Sequence, residues 1–353
     1  MKKFDLVART KHGLTRPKDA IYRMRVKLLL KFLKVNLFSS SELNYIGHDD
    51  SETKVIYLDE IASASSVSFS DSKNLAGFAH DFSRRYKLTV QNVVINSEKS
   101  FVYTPDKLFI SETSEWPSEQ VLAFNKLPLT DIPTQIDVGT LGLANSGFYH
   151  WLTEDLPTFL RSEIVFPVLD FVNSNLRNKE VYSHLNVETI KVPEWAKVGT
   201  LRFASRGKDL GYLHPDNLKT LKLFAKSVIQ STSSDERKIY VSRSKSRRSI
   251  KDEISLEEYL ISVGYEVIFA EEFSFLEQIK IFSGASSIIA PHGAGLTNAL
   301  WATNARVLEI SGVGKLNRCF EWQSKLCGQE YTRFDYKDSD FNNLIKFIGS
   351  WLP

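Results

Sequence analysis

An alternation of strand and helix patterns between residues 239 and 310 constrains the fold of this chain more than any other feature. Four short apolar runs in this span are predicted strands, and helix signals lie between them. The predicted strands are Ile239–Ser242, Glu266–Ala270, Ser287–Ala290 and Val307–Ile310. Strands that alternate with helices form parallel sheets with helices on both faces, so the pattern predicts an α/β fold.

The helices between these strands have recognisable starts and ends. Ser255-Leu-Glu-Glu258 and Ser274-Phe-Leu-Glu277 are capping-box patterns, in which a serine and a glutamate three residues later satisfy free backbone amides. Gly264 and Gly284 follow these two helices and predict their C-terminal ends. A third helix is predicted over Leu296–Trp301, directly before the last strand.

The rest of the chain is less regular. The polar and glycine-containing stretch at residues 205–217 predicts a domain boundary, and a helix is predicted over Leu218–Ile229. Another helix is predicted from Tyr149 to about Phe159, with Pro157 expected to kink or end it. Four strands are predicted in the N-terminal part, at Val55–Leu58, Val93–Asn96, Phe101–Tyr103 and Leu108–Ile110.

A glycine turn, Pro291-His-Gly-Ala-Gly295, joins the third predicted strand to the helix that follows it. Gly293 and Gly295 remove side-chain bulk there, and His292 adds a hydrogen-bond donor for an anion. The N-terminus of a helix presents free N–H groups and partial positive charge, which suit a phosphate. The turn therefore predicts a nucleotide or sugar-phosphate ligand. It lacks the third glycine of a dinucleotide fingerprint, which disfavours a nicotinamide oxidoreductase.

A basic run follows the first predicted strand, and its cations are Arg243, Lys245, Arg247, Arg248 and Lys251. Arginine forks bind phosphate oxygens in pairs, so this run is a second candidate for contact with a phosphate ligand. A solvated basic loop and a nucleic-acid surface are the alternatives. We do not expect nucleic acid as a partner, because no aromatic residue interrupts the run and the net charge is only +3.

The segment Gly147–Pro157, with the sequence GFYHWLTEDLP, holds a candidate acid–base pair. His150 and Glu154 are four residues apart, so in a helix they share a face. A carboxylate beside an imidazole can act as a general base, with one group orienting the other. The alternative is a buried aromatic helix whose histidine is hydrogen-bonded for structural reasons.

Three segments together resemble glycosyltransferase family 61: Gly147–Leu160, Lys238–Glu253 and Glu271–Ile310. The resemblance implies a GT-B-like fold, with two Rossmann-like domains facing each other across a cleft. It also implies inverting transfer of a sugar from a nucleotide sugar, usually a UDP sugar, to a glycan or lipid-linked glycan acceptor. By family analogy we expect a bacterial enzyme of surface polysaccharide synthesis, such as that of a capsule. The alternative is a non-catalytic nucleotide- or sugar-binding module with a degenerate cleft.

The resemblance assigns roles to individual residues. Glu154 or His150 would activate the acceptor hydroxyl, and Glu309 would accept hydrogen bonds from the ribose of the donor. One departure from the family is Asp252, which stands where the family often has asparagine in an Ile-x-Asn-Glu pattern. The residues expected to bind the nucleotide sugar are Arg243, Arg248, His292, Gly293, Ala294, Gly295, Leu296 and Glu309.

The resemblance and the composition together set the remaining expectations. We predict a basic segment over residues 1–50, an acceptor-side domain over 51–212 and a nucleotide-sugar-binding domain over 213–353. We expect no metal and no permanently bound cofactor, since inverting GT-B enzymes generally act without a metal. The chain has no His-x-x-x-His or Cys-x-x-Cys site, and its two cysteines, Cys319 and Cys327, suit a reducing compartment.

The location of the protein is predicted from its N-terminal part. There is no run of 18 apolar residues and no signal peptide, so we expect a cytoplasmic protein. Residues 1–35 hold eleven Lys or Arg against two Asp, a net charge of +9, while the remaining chain carries −6. This asymmetry indicates an anionic partner for residues 1–35. Peripheral contact with an anionic membrane is one interpretation, and a solvated basic helix face or tail and a nucleic-acid contact are the others.

Overall fold

The structure is a computed structural model of the 353-residue chain. The residues that it describes are 37–38, 53–57, 86–97, 100–103, 109–110, 132–172, 174–204, 206, 211–229, 236–246, 248–312, 317–336 and 341–352. The predicted membrane-contacting segment, residues 1–35, and Arg247 lie outside the described residues. By its contacts the chain divides into two compact units. Unit 1 comprises Met1–Asn145, Thr158–Asn175 and Leu185–Leu210, and unit 2 comprises Ser146–Pro157, Leu176–His184 and Gly211–Pro353.

Unit 1 is built on one mixed sheet of nine described strands. The strands are β1 (Leu37–Phe38), β2 (Thr53–Tyr57), β3 (Tyr86–Asn96), β4 (Phe101–Tyr103), β5 (Phe109–Ile110), β6 (Gln135–Leu141), β7 (Val168–Phe171), β8 (Thr189–Val192) and β9 (Trp195–Ala204). The order is β1-β5-β4-β3-β9-β6-β7-β8, and β2 pairs with β3. β3 runs antiparallel to β2, β4 and β9, whereas β9, β6, β7 and β8 run parallel.

The four strands predicted in the N-terminal part correspond to β2, the end of β3, β4 and β5. The parallel strands β6–β9 were not predicted. β7 and β8 have only four residues each, and Gly199 and two cationic residues interrupt the apolar pattern of β9. Several side chains of β9 nevertheless enter the core of unit 1, since Ala196, Val198 and Leu201 are fully buried.

Unit 2 contains a second sheet, in which all five strands run parallel. The strands are β10 (Arg237–Val241), β11 (Glu266–Ile268), β12 (Ala285–Pro291), β13 (Arg306–Gly312) and β14 (Glu330–Tyr336). Their order is β11-β10-β12-β13-β14, the 2-1-3-4-5 order of a doubly wound sheet. The α/β fold class predicted from the 239–310 alternation is therefore confirmed, and β14 extends the sheet by one strand.

Eight α-helices are described, and a 3-10 helix covers Ala294–Trp301. In chain order the α-helices are α1 (Phe148–His150), α2 (Leu156–Leu160), α3 (Leu176–His184), α4 (Pro215–Val228), α5 (Glu253–Ser262), α6 (Phe275–Ser283), α7 (Cys319–Leu326) and α8 (Phe341–Trp351). All of them belong to unit 2 except the last three residues of α2. α5 and α8 pack on one face of the sheet through Leu256, Leu260, Leu344 and Ile348.

The helix-start predictions have different outcomes. The capping box at Ser274 is confirmed, since Ser274 Oγ accepts from Glu277 N and Glu277 accepts from Ser274 N. The one at Ser255 is wrong, because α5 begins two residues earlier, at Glu253. The helix predicted from Leu218 also begins earlier, with Pro215 in its first turn, where proline's missing N–H costs nothing.

Two segments that precede residue 211 in the chain pack within unit 2. Trp151 is fully buried there, its Nε1 donates to Asn178 of α3 at 2.7 Å, and its ring meets the edge of Phe275 at 4.7 Å. Glu180 of α3 accepts from the N-terminal amides of α6, Phe275 N at 2.8 Å and Leu276 N at 3.3 Å. These contacts place residues 146–157 and 176–184 with the 211–353 part of the chain. The predicted domain boundaries at residues 50 and 212 stay predictions.

Candidate functional site

The candidate site lies where the chain order of the five-stranded sheet reverses. From β10 the chain goes to β11 on one side and then returns to β12 on the other, so the carboxyl ends of β10 and β12 are neighbours. Ligands of doubly wound sheets bind in the crevice at such a point. Arg243 follows β10 and His292 follows β12, so the sheet brings these two predicted residues together.

Arg243 and the glycine turn are in direct contact. Arg243 Nη1 donates a hydrogen bond to the backbone oxygen of His292. A Cβ atom at Gly293 would lie 2.9 Å from Arg243 Cζ, so glycine at this position leaves room for the guanidinium. A Cβ atom at Gly295 would lie 2.9 Å from a methyl group of Val241. Both glycines are therefore explained by close approach of β10 and its loop.

Burial, and then the nearby Arg248, lower the pKa of Arg243. Arginine remains protonated in proteins, so Arg243 is a partly buried cation beside the turn. Arg248 is exposed and lies near enough to Arg243 for their charges to repel. An anion bound near both positive charges would relieve this repulsion, so the two arginines are a candidate anion site.

The loop that carries Arg243 is held by Glu253, a residue that the sequence analysis did not select. Glu253 is buried, and its carboxylate accepts from Arg243 N at 2.6 Å, Tyr240 OH at 3.0 Å and Ile250 N at 3.0 Å. Glu253 is the glutamate of the Ile-x-Asn-Glu pattern, so this pattern could have identified it from the sequence. The preceding Asp252 has φ +59°, a left-handed conformation that asparagine and aspartate tolerate best among non-glycine residues.

The helix after the turn is a 3-10 helix that starts at Ala294, two residues before its predicted start. Leu296 N donates to Gly293 O at 3.0 Å, and the Leu296 side chain is buried. In this conformation its amide and its side chain are both engaged within the protein, and its role in binding the nucleotide sugar stays a prediction. Ala294 and Gly295 remain partly exposed. Buried side-chain amides brace the helix, with Asn298 donating to Gln278 at 2.8 Å.

His292 and Glu309 form a half-buried pair across two adjacent strands. His292 Nδ1 lies 2.5 Å from Glu309 Oε1, and Tyr331 OH donates to the other oxygen, Glu309 Oε2. Glu309 is fully buried, whereas 33% of the His292 side chain is exposed. Both oxygens of Glu309 are thus engaged within the protein. The predicted contact of Glu309 with ribose hydroxyls is not available in this conformation, and the structure instead places Glu309 behind His292.

His150 and Glu154 form a second pair of the same kind. His150 Nδ1 lies 2.8 Å from Glu154 Oε2 and 3.0 Å from Oε1. The His150 side chain is 44% exposed and that of Glu154 only 10%. The carboxylate therefore lies behind the imidazole, and the predicted shared face is observed. The sequence analysis places this pair in the acceptor-side domain, but by its contacts it lies in unit 2, as His292 does.

Aromatic rings join the two histidines. The edge of His292 packs on Phe320 at 5.2 Å between centroids, and Phe320 packs on Tyr149 at 5.6 Å. Tyr149 in turn packs on His150 at 5.5 Å. Only two rings separate the two imidazoles, so both pairs line the same region of unit 2.

The helix that carries His150 is not a regular α-helix. Residues Trp151–Asp155 form a π-helical segment between α1 and α2. In an α-helix Thr153 O would accept from the N–H of residue 157, but Pro157 has none and its ring would clash with that oxygen. Asn217 Nδ2 donates to Thr153 O at 2.7 Å instead. π-Helical segments are frequent at functional sites, and this one contains Glu154.

Comparison with known proteins agrees with this site. The model of the family described as Glycosyltransferase 61 matches residues 148–308, a little under half of the chain. This match supports the assignment to glycosyltransferase family 61. The family suggests glycosyltransferase activity at the general level. No curated protein matches the chain. The match contains the His150–Glu154 pair and the glycine turn, while Glu309, Phe320 and Tyr331 lie beyond its end.

Three further expectations concern a metal site, the two cysteines and membrane-spanning helices. Within the described residues no three His, Cys, Asp or Glu side chains cluster as a metal site requires. The chain does contain one Asp-x-Asp, Asp338-Ser-Asp340, which lies outside the described residues, so metal independence stays a prediction. Cys319 and Cys327 are not bonded to each other. In the described part of the chain, no helix has the length and apolarity needed to cross a membrane.

Proposed function

We propose that this glycosyltransferase transfers a sugar from a UDP sugar to a glycan hydroxyl with inversion at the anomeric carbon. The observation that carries the proposal is the presence, in one unit, of an anion seat and a separate histidine–carboxylate pair. The anion seat comprises Arg243, His292 and the turn at Gly293–Gly295, at the topological reversal of a parallel sheet. An inverting transfer needs both parts, since one face of the sugar meets the leaving group and the other meets the acceptor.

The leaving diphosphate would bind at the anion seat. As the glycosyl–oxygen bond breaks, its electron pair and a negative charge go to the diphosphate. Arg243, the His292 ring and the amides of the turn stabilise that charge without having to reorganise, because contacts within the protein fix them. The positive end of the 3-10 helix adds to the same effect.

We assign the base to His150 and the orienting role to Glu154. The imidazole is the exposed member of the pair, and the carboxylate accepts from Nδ1, so the other ring nitrogen, Nε2, is directed away from Glu154. Nε2 takes the proton of the acceptor hydroxyl as its oxygen forms the new bond to the anomeric carbon. Glu154 stabilises the resulting imidazolium, as a carboxylate does behind a catalytic histidine.

The wider setting is proposed on family analogy. We propose a bacterial enzyme of GT-B-like architecture that builds a surface polysaccharide and needs no metal. Its acceptor would be a glycan or a lipid-linked glycan, and the cationic residues 1–35 would bind the anionic cytoplasmic face of the membrane. Deletion of residues 1–35 should then release the protein from anionic vesicles. Full activity in the presence of EDTA is the corresponding test for metal independence.

A two-step experiment tests the central proposal. A panel of nucleotide sugars is screened by thermal shift, because a ligand of the native state raises the melting temperature. The best donor is then incubated with glycan acceptors, and NMR reads the anomeric configuration of the product. We expect a UDP sugar to stabilise the protein and the product to have the inverted configuration.

The His150→Gln variant separates the proposed enzyme from a non-catalytic binding module. An enzyme of the proposed kind loses transfer in this variant but keeps nucleotide binding. If the wild type binds the nucleotide and transfers to no acceptor or water, the binding module is favoured. If no nucleotide sugar shifts the melting temperature, the proposed anion seat is wrong.

A further inference from the structure

The backbone of His292 is fixed on both sides. His292 N donates to Ile310 O on β13 at 2.7 Å, and its own oxygen accepts from Arg243 Nη1. The ring is held separately, by the edge contact with Phe320 and by the hydrogen bond from Nδ1 to Glu309. The hydrogen bond uses Nδ1, Nε2 lies on the other side of the ring, and 33% of the side chain is exposed.

The carboxylate behind His292 determines which ring nitrogen carries the proton. Glu309 is a fully buried acceptor, so Nδ1 must donate to it. A neutral His292 therefore has its proton on Nδ1, and Nε2 is presented outward. The orientation of Glu309 is in turn fixed at its second oxygen by the Tyr331 hydroxyl.

Tyr331 is well suited to act as this second donor. Burial and the charge of Glu309 raise the pKa of Tyr331 above its ordinary value, so the hydroxyl keeps its proton and donates. Tyr331 lies on β14, the strand next to the one that carries Glu309, and pairs with Val307 in the parallel register. Side chains two residues apart share a face, which brings Tyr331 and Glu309 to the same side of the sheet.

We propose that Tyr331 is a positioning residue for the nucleotide site: through Glu309 it holds His292 with Nδ1–H directed inward and Nε2 toward the ligand. The identity of that ligand rests on the proposed function, but the arrangement of the three side chains does not. Without the Tyr331 hydroxyl, Glu309 loses one of its two anchors. The His292 ring then samples other orientations and the second neutral tautomer.

The first test reads the tautomer of His292 directly and needs no ligand. The full-length chain is labelled with ¹⁵N-histidine, and its ring nitrogens are recorded at about pH 8.5, above the ordinary histidine pKa. The His292 signal is assigned by its loss in His292→Gln. We expect the Nδ1–H form in the wild type and a shift toward the Nε2–H form in Tyr331→Phe.

Two further variants keep this test decisive. Tyr265→Phe removes another tyrosine hydroxyl of unit 2, a buried one that contacts Ser287 at 2.6 Å, and it should leave the His292 signal unchanged. Glu309→Gln places an amide that can donate to Nδ1, so it should invert the tautomer even if Tyr331→Phe fails to fold. An Nε2–H tautomer in the wild type, or a signal insensitive to both Tyr331→Phe and Glu309→Gln, overturns the proposal.

The second test measures UDP affinity in a double-mutant cycle. Tyr331→Phe should weaken UDP binding by about 3-fold to 10-fold, the effect of one hydrogen bond. In the His292→Gln background the same change should alter affinity by less than about 2-fold, because the two residues act as one chain. If Tyr331→Phe weakened UDP binding equally in the wild type and in His292→Gln, Tyr331 would not act through His292 and its role would be merely structural. If the wild type does not bind UDP, the proposed function fails, and the tautomer measurement still decides the role of Tyr331.

Discussion

The two histidine–carboxylate pairs of unit 2 have the same chemistry but different surroundings. In both, Nδ1 of the imidazole faces a carboxylate. His150 and Glu154 lie on one helical segment, and the histidine is close to half exposed. His292 and Glu309 lie on neighbouring parallel strands, the carboxylate is fully buried and Tyr331 binds its second oxygen.

This difference separates the roles of the pairs. A more exposed imidazole with its carboxylate behind it is able to accept a proton from a substrate hydroxyl. A histidine fixed by strand backbones beside Arg243 and a helix N-terminus is instead placed among groups that attract an anion. On this comparison we propose proton transfer for the His150 pair and leaving-group stabilisation for the His292 pair.

The largest expected effect is on the His150 pair. His150→Gln removes the proposed base, so kcat for transfer should fall by about 10²-fold to 10⁴-fold. The dissociation constant for UDP should not change, because the anion seat is intact. Steady-state kinetics and calorimetry measure the two quantities. If His150→Gln lowered nucleotide affinity and left kcat unchanged, the roles proposed for the two pairs would have to be exchanged.

Arg243→Ala tests the other side of the comparison. Loss of a charge-assisted hydrogen bond should weaken UDP binding by about 1.5–3 kcal/mol, measured by calorimetry. Lys245→Ala is the matched control, since this cation lies in the same loop but pairs with Glu272. Equal losses in the two variants would indicate general attraction by the loop and would remove Arg243 from a specific role.

Gly293→Ala tests whether the turn must leave room for Arg243. The added Cβ would lie 2.9 Å from Arg243 Cζ, so the guanidinium, which ends a flexible side chain, has to move away from the turn. We expect weaker UDP binding and little change in melting temperature. Gly312→Ala is the control, because a Cβ there meets nothing within 4 Å. Unchanged UDP affinity in Gly293→Ala would show that the position of the Arg243 guanidinium does not matter for nucleotide binding.

The smallest expected effect concerns the support of the π-helical segment. Asn217→Ala removes the donor to Thr153 O and should reduce the free energy of unfolding by about 1 kcal/mol. Because this contact supports the segment that holds Glu154, kcat should fall more than UDP affinity. Chemical denaturation and kinetics measure the two effects. A fall in UDP affinity without a fall in kcat would contradict the separation of the pairs.

The parts of the site that sequence reasoning found are those set by local periodicity. The spacing of His150 and Glu154, the capping box at Ser274 and the glycine turn all depend on neighbours within a few residues. The start of α5 was misplaced because a long-range partner decides it. The buried Glu253 in its first turn binds Tyr240 and the Arg243 loop, and this contact outweighs the local Ser255 signal.

The sequence by itself determined the parallel α/β unit, the resemblance to the family and the residues at the turn, because short-range hydrophobic patterns and motif spacing encode them. Only the tertiary structure decided that Glu309 is buried behind His292, that Tyr331 donates to it, and that the His150 helix packs in unit 2. These facts depend on strand order, register and burial. Residues 22 positions apart become neighbours only when β13 and β14 pair, and no local pattern records which side chains that pairing removes from water.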